Sequence, residues 1–196
     1  MNSVEFFIYK YSYTFGDNIN INSIPMMLKR KLSPVGKIAM HTLLECYQGG
    51  EPELVYASRY GELERVVKLI KQQKEENEIS PAGFSFSVHN STIGLFSLIN
   101  KIHTGYNSVA ACENTFLNGL LAAILNKKET LFCFAESIDR YESCSLLIGP
   151  DFRENSIHVI CESNNNKIKS NSFYDFLEGK TTIYASPDFI IRRLND

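Results

Sequence analysis

The sequence predicts an α/β fold in which a mixed sheet is covered by helices. Two observations predict this class. Short runs of β-branched and aromatic residues alternate with segments of helical apolar periodicity, in the order β-α-β-α-α-β-α-β-β-β. The chain has 196 residues, of which 44% are apolar and 21% are charged, so a single domain can bury a substantial core.

The first three elements are a strand, a helix and a second strand. Aromatic and β-branched residues at 4–9 favour a strand. Ser33 before Pro34 is a strong helix-start signal, and Gly49-Gly50 ends the helix that follows. Residues 54–58 predict a short buried strand.

Two helices precede the next strand. Residues 61 to about 76 predict an amphipathic helix, and its apolar residues are expected to be buried, namely Leu63, Val66, Val67 and Ile70. Residues 80–84 predict a turn. A helix from about residue 91 to 103 is apolar around most of its circumference, which favours burial on all sides.

The remaining elements surround and follow a cysteine. Residues 106–111 predict a small-residue strand and residues 113–126 a nearly all-apolar helix, with Cys112 between them. Three strands, an Asn-rich loop and a short helix come after, at 131–135, 145–148, 157–161, 163–171 and 173–177 respectively.

Cys112 is the candidate for chemistry. A thiol at a helix N-terminus faces unpaired N–H groups and the positive end of the helix dipole, and both favour the thiolate. A nucleophile also needs proton-handling partners. After Cys112 the sequence holds a single histidine, His158, in an apolar strand pattern typical of a sheet residue. His89 is expected to be a structural histidine at a turn or to line a substrate channel, and His41 and His103 to lie on helix surfaces.

Composition argues against several classes of protein. The net charge of −2 gives no general reason to expect nucleic-acid binding. No apolar run reaches the roughly 18 residues of a membrane span, and residues 1–20 lack the pattern of a signal peptide. The five cysteines show no CxxC spacing, which predicts reduced thiols and a cytoplasmic protein. The four expected to be structural are Cys46, Cys133, Cys144 and Cys161.

Four sequence motifs together resemble one protein family. They are LKRKLS at 28–33, ASRYGE at 57–62, SP…FSFSVHN at 80–90 and AACENTF…GL at 110–120. The family is that of short β-ketoacyl-synthase-like proteins, and the resemblance implies a thiolase-like fold, N-terminal half only. It covers about residues 28–150. Residues 1–150 are therefore expected to form a ketosynthase N-terminal-half-like domain, and residues 151–196 a strand, loop and helix extension that packs on it.

The resemblance also implies a function. Members of this family occur in bacterial aryl-polyene and flexirubin pigment clusters, as chain-length-factor partners of a full-length ketosynthase. The chain is therefore expected to be a non-catalytic subunit of a type II β-ketoacyl-ACP synthase heterodimer, in polyene, polyketide or fatty-acid-like biosynthesis. It would stabilise the ketosynthase and bound its acyl tunnel. No cofactor or metal of its own is implied, because phosphopantetheine is carried by acyl carrier protein, the second expected partner.

The nucleophile motif departs from that of the active enzymes. In ketosynthases the cysteine accepts the acyl chain, and two histidines and a lysine from the second half of a longer chain assist it. Ala111-Cys112 aligns with their Ala-Cys pair, but Glu113-Asn114 replaces two small residues. A carboxylate beside a thiol disfavours the thiolate. The chain is therefore not expected to be an enzyme on its own.

The candidate site residues form two sets. Those expected at the acyl tunnel or the subunit interface are Phe84, Phe86, His89, Asn90, Phe96, Tyr106, Ala111, Cys112, Glu113, Phe116 and Leu120. Those expected to face a partner or the carrier protein are Lys29, Arg30, Lys31 and Arg59. Arg59 and Glu62 are also expected to form a local ion pair or a helix cap.

The strand at 106–111 is expected to have an open edge that pairs antiparallel with another chain. Together with the apolar helices, this edge predicts an obligate dimer with a ketosynthase. Two alternatives stay open. One is an acyl-transferring condensing enzyme whose Cys112 uses residues borrowed from a partner, and the other is a self-associating scaffold that binds acyl chains or carrier protein.

Overall fold

The computed structural model describes residues 3–16, 21–138, 141–165 and 167–194. In this part of the chain eight strands form one sheet: β1 (Val4–Phe15), β2 (Glu53–Ala57), β3 (Tyr106–Val109), β4 (Thr130–Glu136), β5 (Glu142–Gly149), β6 (Ile157–Ser163), β7 (Ile183–Ala185) and β8 (Phe189–Arg193). Their order across the sheet is β3-β2-β4-β5-β1-β6-β8-β7. Strands β3, β2 and β4 are parallel, and the other neighbouring pairs are antiparallel. The predicted mixed sheet is confirmed.

Helices lie on both faces of this sheet. They are α1 (Met26–Lys29), α2 (Pro34–Cys46), α3 (Leu63–Glu76), α4 (Pro81–Ser85), α5 (Ser91–Asn100), α6 (Thr115–Leu125) and α7 (Phe173–Leu177). The predicted start of α2 is confirmed, because the Ser33 side chain accepts a hydrogen bond from the Gly36 N–H at 3.1 Å. Among the described residues, no helix is both long and apolar enough to cross a membrane.

The sheet separates two apolar cores. Helices α2 and α5 cover one face, and α6 and α7 cover the other. Side chains alternate between the faces along β4, where Phe132 and Phe134 enter the α6 core while Leu131 and Cys133 enter the α2 core. Both faces of the central strands are therefore buried, which explains their nearly continuous apolar sequence.

Residues after 150 extend the sheet and cover α6. Strand β6 pairs with β1, β8 with β6, and β7 with β8. Helix α7 adds Phe173 and Phe176 to the core that contains Leu120 of α6. The Phe173 ring lies 5.2 Å from the ring of Phe116. The domain boundary at residue 150 stays a prediction.

Some element boundaries differ from the prediction. Strand β1 continues to Phe15 instead of ending at residue 9, because it pairs with β5 as well as with β6. Helix α5 ends at Asn100 instead of residue 103, because Lys101 adopts a left-handed backbone conformation. Helix α4 forms where a turn was expected. Strands β7 and β8 were not predicted, since runs of three and five residues give too little periodicity.

The predicted burial of α3 is wrong. Leu63, Val67 and Ile70 are 39%, 41% and 51% exposed, and no residue of α3 is fully buried. The helix packs mainly against the short helix α4 and not against the sheet, so its apolar side has only partial cover. The complete burial predicted for α5 is also wrong, since Leu98 is 73% exposed.

Strand β3 is the outermost strand on its side of the sheet, so its predicted open edge is confirmed. The Gly105 and Val109 carbonyls accept hydrogen bonds from the β2 side, at N···O distances of 3.4 and 3.2 Å. Backbone groups of alternate residues in a strand point in opposite directions. Those of Tyr106 and Ser108 therefore face the open edge, and both residues are exposed.

We expect Gly119→Ala in α6 to destabilise the fold by about 1–3 kcal/mol, because a side chain there overpacks the core. A Cβ atom at Gly119 would lie 2.5 Å from the Ala57 Cβ and 2.9 Å from the Phe132 ring. The Ala57 side chain is a single Cβ atom and cannot relieve the clash by changing its rotamer. The gain in helix propensity of about 1 kcal/mol is therefore smaller than the cost of the clash. Urea unfolding measures the change. Gly105→Ala is the control, since its Cβ would meet only Glu53 Oε2, at 4.0 Å; equal stability of the two variants would contradict this packing.

Candidate functional site

The chain reverses direction sharply at an elbow between β3 and α6. Cys112 has a φ of 48°, a left-handed conformation that is uncommon for residues other than glycine. Thr115 holds the turn in place: its hydroxyl accepts from the Ala111 N–H at 2.9 Å and donates to the Cys112 carbonyl at 2.8 Å. A 3₁₀ turn, Cys112–Asn114, precedes α6, so the thiol lies before the helix and is exposed to solvent.

A cavity of about 360 Å³ opens beside Cys112. It lies on the α6 and α7 side of the sheet, and aromatic rings form much of its wall, including Tyr60, Phe116 and Phe173. The described lining residues also include three carboxylates and one cation, Arg59, but neither histidine nor lysine. The cavity can therefore accept an apolar group, while its described walls offer no imidazole to activate the thiol.

Arg59 pairs with Glu113 and not with Glu62, so the predicted Arg59–Glu62 pair is wrong. Arg59 Nη1 lies 2.7 Å from Glu113 Oε1, and the Arg59 guanidinium lies 4.8 Å from the centre of the Tyr60 ring. This pair links the segment after β2 to the elbow. Since the Glu113 side chain is largely exposed, the pair contributes little stability, but it offsets the negative charge next to Cys112.

The ASRYGE segment joins the end of β2 to the turn before α5. The Ser58 hydroxyl accepts from the Gly61 N–H at 2.9 Å, and His89 Nε2 donates to the Ser58 carbonyl at 2.7 Å. Gly61 has a φ of 51°, and a Cβ there would lie 2.6 Å from the His89 ring. His89 therefore holds this turn together, and the glycine is needed where its ring approaches the backbone. The predicted role of His89 at the tunnel stays a prediction.

Glu62 connects three helices from a buried position. Its Oε1 accepts from the Ser33 hydroxyl, the N-cap of α2, at 2.9 Å, and its Oε2 lies 3.1 Å from Arg65 Nε of α3. Weaker contacts at 3.4 Å reach Ser91 and Thr92 at the start of α5. A buried carboxylate that receives several donors fixes the helices around it.

The structure brings only part of the predicted tunnel set together. Cys112, Glu113 and Phe116 line the cavity, with Ala111 adjoining in the elbow. Phe96 and Leu120 are fully buried in opposite cores. The rest, Phe84, Phe86, Asn90 and Tyr106, lie along α4, α5 and the β3 edge. The role of each as a site residue stays a prediction.

The predicted partner-facing lysines lie at the end of α1. The Lys31 carbonyl accepts from Arg65 Nη2 at 2.7 Å, and Lys31 Nζ lies 5.8 Å from the Phe86 ring. Arg30 is exposed and Lys29 is half-buried. Arg59 lies apart from them, at the cavity.

Sequence reasoning missed two carboxylates at the cavity. Glu136 and Glu142 face each other where β4 ends and β5 begins. Burial raises the pKa of Glu136, although its Oε1 accepts hydrogen bonds from the Arg59 N–H and the Ser58 hydroxyl. Its Oε2 is buried and has no hydrogen-bond partner among the described residues. The sequence signal for this pair is that the apolar run at 131–135 ends in Glu136 and that Glu142 precedes the next predicted strand.

Four cysteines are buried, as predicted, and one is exposed. Burial raises the pKa of Cys133 and Cys161 to about 11, and it raises the pKa of Cys46 and Cys144 as well. These four thiols therefore remain protonated near neutral pH and out of reach of reagents.

We expect iodoacetamide at pH 8 to modify one residue of the folded chain, Cys112. The thiolate fraction of a thiol with a pKa of about 11 is negligible at that pH. Mass spectrometry of peptides locates the adduct, and labelling in guanidinium should modify all five cysteines. Rapid modification of Cys133 or Cys144 in the native protein would contradict the burial described above.

The comparisons with known proteins agree with this architecture. Residues 12–132 match the family of β-ketoacyl synthase N-terminal domains. The fold is similar to a chain in the structure of a ketosynthase in complex with its chain length factor from Xenorhabdus doucetiae, with a TM-score of 0.72 and 20% identity over 95% of this chain and 98% of that one. It is also similar to the ishigamide ketosynthase/chain length factor, with a TM-score of 0.62 and 11% identity over 76% of this chain and 54% of that one. No curated protein sequence matches the chain.

The matched segment begins in β1 and ends in β4, so it contains the elbow, the ASRYGE segment and His89. The motifs from which the family was predicted therefore lie within the segment that identifies it. The chain belongs to the β-ketoacyl synthase N-terminal domain family and has the thiolase-like fold that the sequence predicted.

Proposed function

We propose that the chain is a non-catalytic, chain-length-factor-like subunit of a type II β-ketoacyl-ACP synthase heterodimer, in polyene, polyketide or fatty-acid-like biosynthesis. The similar solved structures contain ketosynthases and chain length factors, which supports a role of this kind. In this role the chain stabilises a full-length ketosynthase in the cytoplasm and bounds the tunnel that receives the growing acyl chain.

One observation carries the proposal: the described residues that line the cavity beside Cys112 include carboxylates but neither histidine nor lysine. His89 is bound to the Ser58 carbonyl, and His158 lies on β6 with its ring stacked 4.4 Å from Phe7. The resemblance implies that an active ketosynthase uses two histidines and a lysine beside its thiol, so a subunit with carboxylates in this position depends on the chemistry of its partner.

The open edge of β3 supports pairing with another chain. A strand edge with outward-facing N–H and C=O groups is a template for a further strand. Beside this edge, Val88, Leu98 and Tyr106 expose apolar surface on the α4–α5 turn, α5 and β3. An antiparallel strand from a ketosynthase would satisfy the backbone groups and cover these side chains together.

A second candidate is an acyl-transferring condensing enzyme, and the elbow itself favours it. Cys112 is exposed, has a left-handed backbone conformation and opens onto a cavity large enough for an acyl group. Strained positions of this kind often occur at active sites. In this case a partner chain would have to supply the imidazoles.

The heterodimer would also bind acyl carrier protein, whose phosphopantetheine delivers the acyl chain. Lys29, Arg30 and Lys31 form a cationic cluster at the end of α1, and Arg59 lies at the cavity mouth. Arginine and lysine are the side chains that bind phosphate groups. Acyl carrier protein is therefore the second proposed partner of the chain.

We expect Cys112→Ala to leave the condensing activity of the complex unchanged within about twofold, because the acyl chain would be held by the ketosynthase. The assay follows malonyl-thioester turnover by this chain co-purified with a neighbouring full-length ketosynthase. The positive control replaces the ketosynthase nucleophile and should abolish turnover. Loss of turnover in Cys112→Ala, with an intact complex, would establish the condensing-enzyme alternative instead.

We expect Ser108→Pro to abolish association with the ketosynthase. The Ser108 N–H faces the open edge, so proline removes a donor from the new strand pair and leaves the β2–β3 pairing intact. Ser108→Ala is the matched control, since it retains the N–H. Light scattering after co-expression measures the complex. A heterodimer that survives the proline, or a wild-type chain that forms only homomers, would overturn this pairing.

We expect Phe116→Ala to lengthen the products of the complex. Of the four phenylalanines predicted at the acyl tunnel or the interface, Phe116 is the one that lines the cavity. Removal of the ring enlarges that space, so a longer acyl chain fits before it meets the wall. Mass spectrometry of released products measures the length, with Phe152→Ala, at an exposed position outside the predicted tunnel set, as the control. If the products of the Phe116→Ala complex keep their length, Phe116 does not form the end of the tunnel.

A further inference from the structure

Tyr184 brings a polar group to the aromatic wall of the cavity beside Cys112. This residue of β7 lines the cavity and is only 7% exposed. None of the described residues makes a hydrogen bond with its hydroxyl, and burial alone raises the pKa of Tyr184. The hydroxyl oxygen is nevertheless not sealed inside the core, so it opens onto the cavity that the residue lines.

Tyr184 is the last of three aromatic rings that follow one another along this wall. The centre of the Phe116 ring lies 5.2 Å from that of Phe173, and the centre of the Phe173 ring lies 4.9 Å from that of Tyr184. Phe116 belongs to the first turn of α6, directly after the elbow. An apolar chain that enters beside Cys112 and follows these rings therefore passes two phenylalanines before it meets the Tyr184 hydroxyl.

The fold gains nothing from this hydroxyl that the described residues show. A polar group in an apolar environment costs free energy unless it is hydrogen-bonded. A phenylalanine at the same position would keep the ring contacts with Phe173 and Phe189 and avoid that cost. A group that is unfavourable for folding and opens onto a cavity has the properties of a ligand-binding group.

The other polar groups around the cavity indicate that the ligand is uncharged there. Arg59 is paired with Glu113, the Tyr174 hydroxyl donates to Glu142 Oε1 at 2.6 Å, and the Asn171 amide binds the β7 backbone. Among the described lining residues carboxylates outnumber cations three to one, which disfavours an anionic group. A neutral oxygen can accept from a protonated tyrosine hydroxyl without bringing a charge into the cavity.

We propose that Tyr184 is a specificity-determining residue of this cavity: its hydroxyl donates a hydrogen bond to an uncharged oxygen, a ketone or a hydroxyl, on an otherwise apolar ligand. This inference rests on the proposed function, because the ligand is then the far end of the acyl chain. A site that binds a ligand oxygen in apolar surroundings rejects the analogue without it, since the hydroxyl of the site stays unpaired. The cavity therefore selects an oxygenated chain over a plain hydrocarbon chain of the same length.

The first test uses two small probes, benzyl alcohol and ethylbenzene, which differ in a hydroxyl group that replaces a methyl group. NMR titration of the nitrogen-15-labelled chain measures both dissociation constants, and the shifted amide signals show whether the probe lies at the cavity. We expect Tyr184→Phe to raise the dissociation constant of benzyl alcohol by about three- to tenfold, the effect of one neutral hydrogen bond. The dissociation constant of ethylbenzene should not rise. Equal effects on the two probes, or no binding of benzyl alcohol at the cavity, would overturn the proposal.

A matched variant and a stability measurement separate ligand binding from a structural role. Tyr11→Phe makes the same chemical change at an exposed position of β1 and should bind both probes as the wild type does. Tyr184→Phe should unfold at the same temperature as the wild type or at a higher one, because it removes a hydroxyl that no described residue binds. A clearly lower unfolding temperature of Tyr184→Phe would mean that the hydroxyl supports the fold, which contradicts the proposal.

The second test uses the complex with a full-length ketosynthase and two primers, octanoyl and 8-hydroxyoctanoyl pantetheine thioesters. We expect Tyr184→Phe to lower kcat/KM for the hydroxylated primer by about three- to tenfold and to leave that for the plain primer unchanged. An unchanged ratio of the two values in an intact complex would overturn the role of Tyr184. If no complex forms, the proposed function fails, and the probe titration still decides whether Tyr184 binds an oxygen, so the two failures are distinguishable.

Discussion

The structure depends on how the apolar helix α6 is covered. The sheet buries one side of this helix, where Gly119 allows the backbone to approach Ala57 and Phe132 closely. Helix α7 covers a further side, and Phe116 packs against Phe173 between the two helices. Burial of apolar area drives both contacts. The elbow is held between these layers, so the position of Cys112 follows from the packing of α6.

The same packing leaves the cavity beside Cys112 open. Helix α7 is only five residues long, and the cavity lies between it, the elbow and the ends of β4 and β5. Hydrogen bonds of the ASRYGE segment hold neighbouring elements together: Ser58 and His89 join the end of β2 to the turn before α5, and Glu62 joins α2, α3 and α5. The Arg59–Glu113 pair links this segment to the elbow. The family motifs thus connect the elements that surround the exposed thiol.

The open surfaces lie on separate elements. The β3 edge presents backbone groups that face away from β2, whereas α3 exposes the apolar side chains of Leu63, Val67 and Ile70.

The local sequence pattern alone determined many of the secondary-structure elements of this protein. Helical periodicity and the Ser33-Pro34 start predicted α2, the apolar runs predicted the central strands, and the small-residue strand before Cys112 predicted the elbow, because these signals depend on neighbours in sequence. Only the tertiary structure decided the rest. The pairing of Arg59 with Glu113, the meeting of Glu136 with Glu142 and the exposure of α3 each depend on which segments lie side by side. Those are contacts between distant parts of the chain, which local periodicity does not encode.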